Sequence, residues 1–186
     1  MNLEELKKEI SKPHSNFNKI PEKFSGLSYE GIYAISVDVS TISGSLLNSL
    51  NKNNNNKSVI YIGKGDILIN RLLDELKAEG RFKGGIFFRK FGSYLGYICS
   101  EKKCNHKSNY KFSDEDNNKI KSEIILNLKL KTFKTSQDNE RDLIQHFHPP
   151  FNDRDNKGKI CPEVKRKHIE NLHLNKKYYK HKNDSK

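Results

Sequence analysis

Gly31-Ile32-Tyr33-Ala34-Ile35-Ser36-Val37-Asp38-Val39 and Val59-Ile60-Tyr61-Ile62-Gly63 are the two stretches that decide how this chain folds. Both are dominated by β-branched and apolar residues. The second is an unbroken apolar run stopped by Gly63 and Gly65. Both are therefore expected to be strands, the second a buried one. Each carries a tyrosine. If the two strands pair as antiparallel neighbours, side chains alternate between faces and both phenols can project to one side. A buried tyrosine ordinarily packs and hydrogen-bonds. A phenol, with an unperturbed pKa of about 10, needs help from a nearby cation to act as a base at neutral pH.

Reading outward, Gly63-Lys64-Gly65 is a turn, and Asp66 is a candidate N-cap for the helix that follows. Ile69, Leu72, Leu73 and Leu76 share one side of that helix, Arg71 lies on another, and Gly80 ends it. Arg71 falls near a helix N-terminus, which favours an anion, and a guanidinium can hold two phosphate oxygens at once. Lys64, in the turn, is placed to touch phosphate or to lower a phenol's pKa. Further on, residues 137–147 read as a helix with Leu143, Ile144 and Phe147 inward, stopped by Pro149-Pro150. Glu140 borders that apolar face. A carboxylate there caps, pairs or binds a metal, and one carboxylate with water and phosphate oxygens suffices for Mg²⁺. Asp138 and Asp142 face other sides of the helix.

The remaining segments are simpler. Leu3, Leu6 and Ile10 predict an amphipathic helix over 3–11, and residues 40–50 a short helix before an Asn/Lys loop at 51–57. Residues 87–91 are a third candidate strand or a strand–helix junction. Ser113 and the acids after it start a helix that runs to about residue 127. Residues 128–133 alternate as a strand does. In the last thirty or so residues, which are strongly basic, Ile169 and Leu172 are expected to pin a short helix.

Composition narrows the function. Lys and Arg number 35 against 23 Asp and Glu, a formal charge of +12, and the pI is about 9.5. A field of that sign favours a polyanion, nucleic acid first and an anionic membrane surface second. At 186 residues with 33% hydrophobic content, the chain is one domain with extensions, large enough to bury a core. No apolar run approaches the roughly 18 residues of a membrane span. The acidic, helix-like N-terminus is unlike a signal peptide, and three cysteines leave one unpaired under any scheme, so a cytoplasmic setting is expected. Cys99, Cys104 and His106 lack the second ligand pair of a zinc site.

Taken in order, these residues resemble the GIY-YIG endonuclease superfamily over residues 29–153. Gly31-Ile32-Tyr33 and Tyr61-Ile62-Gly63 match its two naming motifs. Arg71 matches the arginine of its first core helix. Glu140, with Leu143-Ile144 and Pro150-Phe151-Asn152, matches its late segment. The resemblance implies an α/β (α+β) domain, a small three-stranded antiparallel sheet flanked by helices, here with an N-terminal helix and a basic C-terminal extension. The expected organisation is an extension at 1–28, the nuclease domain at 29–153 with an insertion at 38–57, and a tail at 154–186. The implied reaction is Mg²⁺-dependent hydrolysis of a phosphodiester in DNA, with one ion per site and Mn²⁺ able to substitute, by a monomer or homodimer. Tyr33 would activate the water, Tyr61 position it, Arg71 bind phosphate, and Glu140 hold the metal. Lys64 and Asn152 would support substrate binding. Many members carry a histidine one helical turn after the arginine; here Glu75 stands there. A binding module that keeps the fold and has lost catalysis is the alternative.

Overall fold

The computed structural model describes residues 1–16, 26–38, 58–77, 85–107, 109–156 and 159–184. Strand β2 (Gly31–Val37) is the centre of an antiparallel sheet. It pairs with β3 (Val59–Gly65) on one side and β4 (Leu128–Lys134) on the other. A two-residue strand, β1 (Ser15–Asn16), extends the β4 side, so the order is β1-β4-β2-β3. The expected three-stranded sheet is thus present with a short fourth strand at its edge. All seven residues of β2 are buried, as a central strand covered on both faces requires.

The alternation of β2 sorts two cores. Ile32 and Ala34 face one side, with Ile62 and Phe133 from the neighbouring strands. That face is covered by α1 (Leu3–Ile10) through Leu6 and Ile10, and by α5 (Asn139–Phe147) through Leu143, Ile144 and Phe147. Tyr33, Ile35 and Val37 face the other side with Tyr61, Leu128 and Leu130. A register shift between Ile35 and Ser36 marks a β-bulge that leaves Ile60 on this second face beside Tyr61.

The second face is covered by α2 (Leu68–Leu72), which continues as one π-helical stretch over Leu73–Lys77, and by α3 (Ile86–Tyr94), α4 (Asp114–Asn127) and α6 (Pro162–Asp184). The run at 87–91 is therefore helical and not a third strand. Phe87, Phe88 and Phe91 fall at helical spacing: Phe87 packs on Tyr61 and Phe151, Phe91 on Phe87 and Phe151, and Phe88 on Phe112. An apolar run this short is ambiguous by periodicity, and packing decides it. Asp66 is not the N-cap of α2: Ile67 holds that position without a side-chain bond, and Asp66 accepts a hydrogen bond from Gln137. The expected helix over 40–50, the loop over 51–57 and the stop at Gly80 lie outside the described residues.

The basic C-terminal segment forms a helix of 23 residues. Its inner face is polar as well as apolar. Beside Val164 it buries His168, Asn171 and Asn175. Asn171 accepts from Cys99 N at 2.7 Å and donates to Ser93 and to Tyr97 O. Asn175 donates to His106 O and Lys107 O. These amides satisfy the loop between α3 and α4, which has little other secondary structure to pair with. Cys99 and Cys104 donate their thiols to the Asn171 and Asn175 carbonyls, and burial pushes the Cys99 thiol up to about 11. Both cysteines serve the helix contact, and no metal-holding group of three His, Cys, Asp or Glu side chains occurs among the described residues.

Candidate active site

Antiparallel pairing sets Tyr33 opposite Gly63 and Tyr61 opposite Ile35. The two phenols therefore lie on the same face, two residues out of step, with ring centroids 6.1 Å apart. Gly63 is required by this arrangement. The Tyr33 ring lies across it, and a Cβ there would run into the phenol oxygen. Tyr33 is fully buried and its hydroxyl has no partner in hydrogen-bond geometry among the described residues, although the Arg71 guanidinium lies beside it. Burial pushes both phenols well above their ordinary pKa, and the guanidinium of Arg71 opposes that shift at each.

Arg71 reaches this pair from α2. Its side chain is 36% exposed and contacts Glu75 at 2.5 Å, one helical turn on, as an ion pair that lacks hydrogen-bond angles. Glu75 has no solvent exposure. Its other oxygen accepts from Phe87 N at 2.6 Å, in the first turn of α3.

The facing wall comes from the opposite side of the sheet. Lys64, next in β3 after Gly63, points toward α5 and pairs with Glu140 at 3.2 Å. Glu140 is one-fifth exposed. Asn152 underlies both walls: its carboxamide accepts from Ile62 N at 2.9 Å and donates to Ile62 O at 2.8 Å. Phe151 N donates to Ile60 O, so the segment after α5 is stitched to the outer side of β3 as a backbone-pairing extension. Asn156 continues the brace, donating to Pro149 O and Asn152 O.

Between the walls lies a cleft of about 1110 Å³. Tyr61, Lys64, Arg71, Glu140 and Asn152 line it, whereas Tyr33 sits one layer behind. The chain thus brings together the residues singled out from the sequence, with Tyr33 in the buried layer and the Asn152 side chain engaged by the β3 backbone. Lys90 is a further cleft residue that the sequence concealed inside an aromatic run. It is buried, donates to Phe151 O and pairs with Asp153 at 2.7 Å. Glu75 had a usable signal, its four-residue spacing from Arg71.

Several carboxylates line the cleft, and most are engaged. Asp153 pairs with Lys90, Asp155 lies 3.7 Å from Arg141, and Asp66 accepts from Gln137. Among the described residues Glu140 pairs with the half-exposed Lys64 ammonium, a partner it can exchange for another cation.

No curated protein and no solved structure matches the chain. A family model described as the GIY-YIG catalytic domain matches residues 31–176, from the first residue of β2 into α6. With both tripeptides paired in the sheet and the late segment stitched to β3, the chain belongs to the GIY-YIG catalytic-domain family, a nuclease-type family.

Proposed function

We propose that this protein is a metal-dependent endonuclease that hydrolyses phosphodiester bonds in DNA, in a restriction, repair or mobile-element role. The observation that carries the reading is the convergence of Tyr61, Lys64, Arg71 and Glu140 on one cleft from three separate elements. Arg71 offers the phosphate a planar fork of donors in a partly desolvated setting, where such contacts gain strength. Tyr61, held protonated by burial, donates a hydrogen bond to a phosphate oxygen or to the attacking water. Tyr33 supports Arg71 from behind, and as a base it would draw on that guanidinium, which acts to bring its pKa down. Lys64 turns from Glu140 to the phosphate once substrate arrives. Asn152 orders the outer side of β3 and so holds Tyr61 and Lys64 in place.

Glu140 fits a single Mg²⁺, with Mn²⁺ able to substitute: one carboxylate leaves most of the coordination shell to water and phosphate oxygens, the usual manner for Mg²⁺ at a phosphate site. When bound, the ion would stabilise negative charge on the leaving oxygen. A single cleft cuts one strand, so a double-strand break takes a homodimer or two successive events.

Residues 29–153 carry this chemistry in our reading, and the basic tail supplies affinity. The exposed Lys165, Lys176, Lys177 and Lys180 of α6 would meet phosphates, with Lys102 and Lys107 brought beside that helix by Asn175 and its neighbours. Plasmid nicking with Mg²⁺ tests the reading, with wild type beside Glu140→Ala and Arg71→Ala. Cleavage surviving in both variants would overturn the site. Failure to cleave any duplex, branched or single-stranded DNA, with duplex binding intact, would select the binding module instead.

A further inference from the structure

Glu75 is a carboxylate with no solvent exposure, set beside the Arg71 guanidinium and within the electrostatic reach of both Tyr33 and Tyr61. An ionised group in such a place is costly unless it is paired and hydrogen-bonded. Its two oxygens have different tasks. Oε2 accepts the Phe87 N–H in the first turn of α3, where the cap residue Gly85 has no side chain to do so. Gly85 is also where a Cβ would collide with the Glu75 carboxyl, so backbone and carboxylate are fitted to one another. Oε1 lies against Arg71 and has no hydrogen-bond partner among the described residues. The carboxylate is thereby fixed to α3, and Arg71 is fixed to the carboxylate.

We propose that Glu75 is a positioning residue for the nuclease chemistry: anchored on α3, its carboxylate holds the Arg71 guanidinium at the cleft mouth, over the two phenols. An arginine has five donors, so one terminal nitrogen spent on Glu75 leaves others for a phosphate. Without the anchor, the 36%-exposed side chain is free to sample solvent rotamers, and productive alignment becomes one state among several. A purely structural account has Glu75 serving only as the missing cap of α3. The two accounts differ in what charge does, because an amide can cap and cannot hold a guanidinium as an ion pair.

The proposal rests on the nuclease reading for its catalytic consequence, and its geometric part is measurable without activity. Glu75→Gln keeps an acceptor for Phe87 N–H and removes the charge; Glu75→Asp keeps the charge and shortens the reach. In the free protein, the terminal Nη–H resonance of Arg71, assigned by its loss in Arg71→Lys, should exchange slowly with water in wild type and fast in Glu75→Gln. In nicking assays, Glu75→Gln should lose about 10-fold to 100-fold in kcat with little change in KM or DNA affinity, and Glu75→Asp should recover part of it. An unchanged Arg71 resonance in Glu75→Gln overturns the positioning role. So does a wild-type kcat in that variant. Should wild type itself cleave no DNA, the nuclease reading fails and the resonance still decides whether Glu75 anchors Arg71.

Discussion

The two walls of the cleft hold oppositely charged pairs in opposite ways. On one wall Arg71 and Glu75 are packed beside two buried tyrosines and against α3, and Glu75 has no access to water. On the other, Lys64 and Glu140 meet at 3.2 Å with side chains 44% and 21% exposed. A buried pair is committed, because removing one partner strands the other charge in a poor solvent. An exposed pair contributes little to folding and exchanges partners freely. The packed wall therefore suits geometry that must not change, and the open wall suits a carboxylate that must accept a new cation.

The two pairs differ most in what they contribute to stability. Arg71→Ala should cost about 3 kcal/mol at neutral pH by urea unfolding, because Glu75 stays buried without its partner. Glu140→Ala should leave stability within about 0.5 kcal/mol, its pair being solvent-screened. Both should lower nicking by about 100-fold or more. Equal stability losses in the two variants would erase the distinction between the walls.

Gly63→Ala should come next, at about 1–3 kcal/mol, since the added methyl must displace the Tyr33 ring from a packed core. Gly26→Ala, at a glycine with open space around it, should be tolerated far better. A thermal or urea melt decides this, and a neutral outcome would mean that Tyr33 does not lie across Gly63.

The packed wall also responds to pH. Burial raises the Glu75 pKa above its ordinary 4.5, with Arg71, the Phe87 N–H and Arg89 opposing that shift. The folded state then binds more protons than the unfolded chain in the window above about 4.5, so this group's stabilisation is present at low pH and is lost as pH rises through its folded pKa. The buried His168, lowered to about 4, and His14, also lowered, act with the opposite sign and lose stability as pH falls. Urea midpoints between about pH 4 and pH 7 should therefore rise more steeply with pH in Glu75→Gln than in wild type. Parallel curves would remove Glu75 from the balance.

The smallest expected effect concerns α6. Replacing Lys176 and Lys180 by Glu should leave folding intact and flatten the salt dependence of duplex binding by roughly two units of log–log slope at most. Truncation after residue 157 is a poor test of the same idea, because it removes Cys161, Val164, His168, Asn171 and Asn175 from the core and should unfold the protein.

Much of the fold was legible in the sequence because its periodicities are local. The strands at 31–37 and 59–65, the helices at 3–10, 114–127 and 139–147, and the strand at 128–134 each announce themselves by apolar spacing or a cap. Residues 87–91 did not, since five residues of aromatic and basic character fit either period until Tyr61 and Phe151 are in place. The site was legible as a set: Tyr33, Tyr61, Arg71 and Glu140 come from motifs whose order along the chain is itself informative. Lys90 was not, because its partner Asp153 is distant in sequence and its burial depends on Phe151.

What the sequence alone determined, then, is the inventory: a strongly basic chain, two tyrosine-bearing strands, one arginine after a Gly-x-Gly turn, and a glutamate at the edge of an apolar helix face. These follow from residue types and spacings of a few positions, which local stereochemistry fixes. Only the tertiary structure decided which of those groups are sealed and which are open. Tyr33 went behind the cleft and Asn152 onto the β3 backbone, while Glu75 became the anchor of Arg71 and the basic tail became a core helix. Burial and charge pairing are set by neighbours far away in sequence, and at a polar site they govern pKa, orientation and cost.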